Sequence, residues 1–313
     1  MTIWIVSDGK RGHLNQTQGL ARELISEASR RQPEDNHEYF VVSVEGKSRA
    51  ARLFYLGKEL DLPTPDLILG AGHGTHIPLL HMARHYKALG IVCMKPSLPA
   101  TMFDLCLIPR HDLIGKQQTG SSILPTVGAL HGIKPSPETP KKHTLILIGG
   151  PSKEFDWDED TLINQLADIT RHNDIPLVLT TSRRTPQNFV PDLRQACPGI
   201  RIVPVEETDA AWVPAHLAAA RDIWVSQDSV SMVYESLGSG APVGILDMPP
   251  RSKTPSRVAQ GLRMLIEENR VTPYRTWARS HRLSTTHAPL LEAERIASCI
   301  LDRYPALLHH RQP

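Results

Sequence analysis

Apolar residues in this chain come in short runs, and nearly every run ends in a polar cluster. Residues 3–6, 38–44, 66–69, 91–94 and 105–108 read as strands, with helical periodicity over about 16–29 and 78–86. From residue 143 the same alternation starts afresh. Strands are predicted at 143–148, 175–181, 200–205, 223–225 and 243–246. Helices are predicted through Leu162, Ile163, Leu166 and Ile169, and over about 209–220, 230–237, 256–269 and 289–303. Strands alternating with helices predict an α/β class with parallel sheets, whose strands present their carboxyl ends, where ligands bind, to one crevice. Between the halves, residues 125–142 hold four prolines and three lysines with little periodicity, which reads as a linker. The expected division is 1–130, 143–285 and a terminal helix in 286–313 that packs back on the first domain.

Length and charge narrow the picture. The 313 residues suit two domains of roughly 150 each. A formal net charge of +2, from 35 basic and 33 acidic residues, gives no bulk field for nucleic acid. Cys93, Cys106, Cys197 and Cys299 are scattered, which fits a reducing compartment and neither a zinc site nor a disulfide framework. The N-terminus runs straight into a strand without a leader pattern, and no apolar run approaches the ~20 residues of a membrane span. The expectation is a cytoplasmic protein, with peripheral contact at the inner membrane left open.

The stretch from Arg221 to Met248 carries the densest signal. It reads as strand, polar loop (Ser226-Gln227-Asp228-Ser229), helix, glycine stop and second strand, a βαβ unit. Ser229 and Ser231 put hydroxyls beside the free N–H groups of a helix N-terminus, where a phosphate is stabilised. Glu235 lies one turn on, within reach of a sugar's vicinal hydroxyls. Alone, the same residues also fit a plain N-cap at Asp228 and Ser229 with a solvated Glu235.

Other polar clusters follow the strands. After the first comes Ser7-Asp8-Gly9-Lys10-Arg11-Gly12-His13-Leu14-Asn15-Gln16, read as a loop with more functional groups than a βα connection needs. After the strand at 66–69 comes Gly70-Ala71-Gly72-His73-Gly74-Thr75-His76. Its third glycine is misplaced for a dinucleotide fingerprint, and its two histidines lack a third metal ligand. Lys95-Pro96-Ser97 and Pro109-Arg110-His111-Asp112 end two more strands. In the second half, Gly149-Gly150-Pro151-Ser152 matches the first loop in position, and Ser182-Arg183-Arg184-Thr185 places two guanidiniums at a strand's carboxyl end. Paired arginines suit a diphosphate, whose oxygens guanidinium grips bidentately. Arg251-Ser252-Lys253 forms a basic loop. Asp156-Trp157-Asp158-Glu159-Asp160 invites a metal reading. An EF-hand would need glycine and glutamate where Thr161 and Ala167 stand, so the acids read as a helix start.

Taken together, Gly9-Lys10-x-Gly12-His13-x-Asn15-Gln16, Pro109-x-His111-Asp112, Gly149-Gly150, Ser182-Arg183-Arg184-Thr185 and Asp228-Ser229-Val230-Ser231-Met232 resemble the bacterial relatives of the plant mitochondrial-fission "elongate mitochondria" proteins. That family is regarded as glycosyltransferases, and the resemblance covers nearly the whole chain. It implies the GT-B fold, two Rossmann-like domains facing across a cleft. It also implies a nucleotide-sugar donor on the C-terminal domain, an acceptor on the N-terminal one, and no cofactor or obligatory metal. The acceptor class is open, a cell-envelope glycan or lipid included. Gly72-His73-Gly74 departs from the pattern, since a basic residue is expected there. On this reading Arg183 and Arg184 hold the diphosphate with Ser229 and Ser231, and Glu235 binds ribose or sugar hydroxyls. His13 is the first candidate base, Asp8 the second and His111-Asp112 the third. A sugar-nucleotide epimerase of the same fold and a non-catalytic binding or recruitment protein are the alternatives.

Overall fold

The computed structural model describes residues 1–55, 57–113, 120–252, 256–285 and 287–308; Lys253 of the basic loop and the chain's last five residues lie outside them. The chain forms two compact units, Met1–Gly132 with Leu291–Pro313, and Ile133–Leu290.

The first unit begins with β1 (Thr2–Ser7), α1 (Arg11–Arg31), β2 (Glu38–Ser43), α2 (Arg49–Phe54), β3 (Leu67–Ala71) and α3 (His76–Tyr86). It continues with β4 (Leu89–Cys93), β5 (Leu105–Pro109), the short α4 (Arg110–Leu113) and β6 (Ile123–Thr126). Its six strands form one sheet in the order β2-β1-β3-β4-β5-β6, and every neighbouring pair is parallel. Side chains alternate across a strand, so β1 feeds both faces. Ile3 and Ile5 enter a core with Leu20 and Leu24 of α1, whereas Trp4 and Val6 enter one with Leu79 and Met82 of α3. Burial on both faces is why the strands read as continuous apolar runs.

The second unit follows as β7 (His143–Leu147), α5 (Glu159–Arg171), β8 (Leu177–Thr180), α6 (Phe189–Ala196), β9 (Ile200–Val203) and α7 (Trp212–Ala219). Then come β10 (Ala220–Ser226), α8 (Val230–Gly238), β11 (Val243–Leu246), α9 (Arg257–Glu267), the two-residue β12 (Thr272–Pro273) and α10 (Tyr274–Ser280). This sheet too is parallel, in the order β12-β11-β10-β7-β8-β9. The chain then returns to the first unit as α11 (Glu292–Arg303), whose Ile296, Ile300 and Leu301 are fully buried in the core that α1 lines. Each such aliphatic side chain contributes about 1.5–3 kcal/mol. Arg31 fixes the register of the two helices, donating to Asp302 at 2.7 Å and to Ser298 at 3.1 Å.

Three sequence expectations are corrected. Helix α1 starts at Arg11, not near residue 16, so Gly12, His13, Asn15 and Gln16 sit on its first turns. Its N-cap is Lys10, which gives no side-chain cap, so the usual start signal is missing from the sequence. Pro125 and Thr126, read as linker, lie in β6, paired with Ile108 and Pro109. A proline that donates no N–H is tolerated there because β6 is the sheet's edge. The helix expected from about residue 209 begins at Trp212 and ends at Ala219, because Ala220 already belongs to β10.

Candidate functional site

Each unit gathers polar groups at the carboxyl ends of its strands. In the first, β1 delivers Asp8 and the opening turn of α1 delivers His13. Nδ1 of His13 lies 3.0 Å from both Asp8 carboxylate oxygens, in a nearly buried setting where the side chains are 21% and 6% exposed. A carboxylate accepting from Nδ1–H fixes the tautomer that leaves Nε2 with its lone pair, the form a general base needs.

Glycines make room for this pair. Gly72, at φ +85°, lies so close that a Cβ there would run into the His13 ring. Gly74 stands against Asp8 and against Arg52, whose Nη1 lies 2.7 Å from where a Cβ would sit. Arg52 of α2 thus places a guanidinium beside Gly74. Gly9, at φ +83°, similarly faces the Glu45 carboxyl. Glu45 and Arg52 were missed in the sequence, and the only signal for them was glycine at the positions they crowd.

Around the pair, Gly9, Lys10, Gly12 and Asn15 are exposed, and the Lys10 ammonium stands 3.9 Å from Asp8. Gln16 is half-buried and reaches Sδ of Met94 at 3.6 Å. Met94 has the left-handed φ of +75° just past β4; such strain in a non-glycine residue tends to cluster at ligand sites. His76, expected as a loop residue, is instead buried at the start of α3, with Nδ1 3.1 Å from the Ser97 hydroxyl. Burial first, then the neighbouring His73 and His13, push its pKa down to about 4, so it stays neutral near pH 7. His111 and Asp112 open α4 at the end of β5, three strands along the sheet from β1.

The second unit's cluster is a latch. Asp228, expected on the donor side with a plain N-cap as the alternative, does not cap α8, whose N-cap Ser229 makes no side-chain cap bond. The Asp228 side chain has no solvent exposure, and it accepts from Ser226 Oγ at 2.7 Å, from Gly150 N at 2.9 Å and from Arg184 Nη2 at 2.7 Å. Ser226 Oγ also takes the Gly149 N–H at 2.7 Å. Arg184 donates further to the carbonyls of Gly150 and Pro151, both at 3.0 Å. Ser182 and Thr185 both donate to the Gly149 carbonyl. A Cβ on Gly149 would strike the Asp228 carboxyl, and one on Gly150 the Arg184 backbone, which is why both positions are glycine.

The latch separates the two arginines. Arg184 spends its donors on protein acceptors, whereas Arg183 is exposed and makes no hydrogen bond or ion pair among the described residues. Ser229 is buried, Ser231 is exposed on the first turn of α8 and Met232 is half-buried. Glu235 is half-buried with no hydrogen-bond partner among the described residues, and burial pushes its pKa up to about 7. A carboxyl left half-protonated near neutrality is poised to exchange hydrogen bonds with a ligand. A cavity of about 420 Å³ opens nearby, beside Gln227 and Met248. Arg183, Ser229, Ser231 and Glu235 do not line it.

Asp158 caps α5 through the Thr161 N–H at 3.0 Å. Among the described residues no three His, Cys, Asp or Glu side chains are placed to hold a metal ion, and no helix is long and apolar enough to cross a membrane.

Comparison with known proteins places this geometry. An uncharacterized protein of Rickettsia prowazekii (strain Madrid E) is 26% identical over 302 residues, covering 80% of this chain and 84% of that protein. The UDP-GlcNAc 2-epimerase of Methanocaldococcus jannaschii superposes with a TM-score of 0.57 at 12% identity, covering 96% of this chain and 100% of the other. A glycosyltransferase of Rickettsia africae superposes with a TM-score of 0.51 at 11% identity, covering 99% of each. At such identities the likeness is one of fold, and the two parallel six-stranded sheets are those of the GT-B fold. The family model described as mitochondrial fission ELM1 matches residues 11–304, and the chain belongs to that family.

Proposed function

We propose that the protein is a metal-independent glycosyltransferase that moves a sugar from a nucleotide-sugar to a hydroxyl acceptor. The observation that carries this reading is the division of labour in the second unit. A buried carboxylate and Arg184 hold the Gly149-Gly150 loop, while Arg183 beside it has no hydrogen-bond or ion-pair partner among the described residues. Arg183, with the exposed Ser231 and the N–H groups opening α8, would grip the diphosphate and stabilise the charge that grows on it as it leaves. Glu235 would take hydroxyls of the ribose or the donor sugar. The first unit would bind the acceptor, and His13, oriented by Asp8, would remove its proton. The acceptor oxygen then bonds to the anomeric carbon, the bond from that carbon to the phosphate oxygen breaks, and the nucleoside diphosphate departs with its electron pair.

The likeness to an epimerase's fold makes sugar-nucleotide epimerisation the second reading, since that reaction would use the same donor groups and no acceptor. A thermal-shift screen of UDP-, GDP-, ADP-, CMP- and TDP-linked sugars comes first; a ligand at 100 times its Kd adds about 2.7 kcal/mol. With the donor in hand, release of its nucleotide (the nucleoside diphosphate, or CMP for a CMP-linked sugar) is measured with and without acceptor extracts. Acceptor-dependent release supports transfer. Interconversion of the donor sugar without acceptor assigns the epimerase reading instead, and no stabilisation by any donor removes both.

A further inference from the structure

The opposite ends of the second unit's strands carry a group of side chains that the transfer reading does not use. A cavity of about 370 Å³ opens at the amino ends of β7 and β8, with Leu177 and Val178 as its apolar wall and Lys142, His143, Arg201 and His216 as its polar lining. None of the described residues lining it is acidic. His143 is only 7% exposed, and its Nε2 is shielded from solvent without a hydrogen-bond partner among the described residues. Lys142 and Arg201 are exposed, and their side chains make no hydrogen bond or ion pair among the described residues. His216 is held by its own helix, with Nδ1 2.8 Å from the Trp212 carbonyl and its ring stacked 3.7 Å from the Trp212 ring. The acid that faces His143 from β10 is Asp222, which Arg221 engages at 2.8 Å.

The two cations beside this cavity, Lys142 and Arg201, have no counter-charge in its lining, and an anion there would supply one. A buried ring nitrogen without a partner is unfavourable, and a ligand oxygen can satisfy it. We propose that this cavity is an oxyanion site for a phosphoryl group, with Lys142 and Arg201 as counter-charges and His143 Nε2 as the inner hydrogen-bonding group. The phosphoryl group belongs to a free phosphorylated metabolite or to a phospholipid headgroup. Either source places an anion at the amino ends of the strands, away from the Arg183 cluster at their carboxyl ends.

The test uses the full chain carrying Arg183→Ala, so that phosphate binding at the other end of the strands does not register and the outcome is independent of the transfer reading. Inorganic phosphate is titrated calorimetrically at constant ionic strength. In a second arm, the same protein is sedimented with phosphatidylcholine vesicles with and without phosphatidic acid. The expected result is saturable binding in at least one arm, weakened about tenfold or more by Arg201→Ala and by Lys142→Ala. Dependence in the phosphate arm identifies a free metabolite, and dependence confined to the vesicle arm a headgroup. His143→Gln, checked for an unchanged melting temperature, is expected to weaken binding as well. Binding that is absent from both arms, or that Arg201→Ala and Lys142→Ala leave unchanged, overturns the proposal.

Discussion

Nη2 of Arg184 lies 2.7 Å from Oδ2 of Asp228, a carboxylate without solvent exposure, while the adjacent Arg183 has no protein partner among the described residues. Two arginines that look equivalent in sequence therefore predict opposite phenotypes. Arg183→Ala should leave stability within about 0.5 kcal/mol of wild type. It should weaken nucleoside diphosphate binding by about 1.5–3 kcal/mol, the range for hydrogen bonds to charged groups. Arg184→Ala strips one partner from a buried carboxylate and should lower unfolding stability by about 1–3 kcal/mol. Urea melts and calorimetric titration with the diphosphate separate the two. Equal effects of both variants on stability would refute the division.

The Asp8–His13 pair predicts a second set. His13→Ala should lower kcat/KM by about 10²–10⁴ once a donor and acceptor are known, the usual contribution of a positioned base. Asp8→Asn removes the carboxylate that selects the Nδ1–H tautomer and should fall in the same range. Gly72→Ala tests geometry rather than chemistry, since its methyl group would displace the His13 ring and its φ of +85° is strained for alanine. Turnover close to wild type in Gly72→Ala would show that His13 is not held where the reaction needs it.

The α/β class with parallel sheets, and the strands β1–β5 and β7–β11, were legible because each buried strand is a bare apolar run ended by polar residues; β6, with Pro125 in it, and the two-residue β12 were not. The terminal helix was legible from its apolar spacing. What the sequence hid was direction and partnership. Asp228 before a helix reads as a cap, yet Ser226, Gly150 and Arg184 draw its carboxyl back across the loop, and those residues lie 2, 78 and 44 positions away. His13 looked like a loop residue because Lys10 offers no cap and Gly12 is a poor helix former. Arg52 and Glu45 carry no motif at all; only glycine at positions 74 and 9 records their presence.

Glu235 sets a pH dependence whose sign follows from its burial. An exposed glutamate ionises near 4.5, but burial raises this one to about 7. Between those values the folded chain keeps a proton that the unfolded chain releases. The stability tied to this group is therefore complete below the unfolded value and is lost as pH rises through about 7. Glu235→Gln should be more stable than wild type at pH 8 by about 1–3 kcal/mol, allowing for partial exposure, with the gap closing toward pH 4.5. If the ionised carboxyl accepts hydroxyls of the donor, donor affinity should fall as pH drops below 7 in wild type and stay flat in Glu235→Gln. Urea melts and titrations across pH 5–8 check both statements, and a pH-independent difference between the two proteins contradicts the burial argument.

The acidic run from Asp156 to Asp160 separates a metal reading from a structural one. Asp158 accepts from the Thr161 N–H at 3.0 Å and from its hydroxyl at 2.7 Å, and these bonds hold its carboxyl below the usual range. Asp156 is paired instead with Arg251, at 2.7 Å. Two carboxylates turned to different partners do not converge on one cation. Asp158→Ala should thus cost about 0.5–2 kcal/mol, the range for losing an N-cap, and the loss should be the same with or without added divalent ions. Chelation with EDTA should move neither the melting temperature nor nucleoside diphosphate affinity. A melting temperature that rises with Mn²⁺ or Ca²⁺ in wild type but not in Asp158→Ala would return this segment to metal binding, and would make the diphosphate's counter-charge a shared task of Arg183 and a cation.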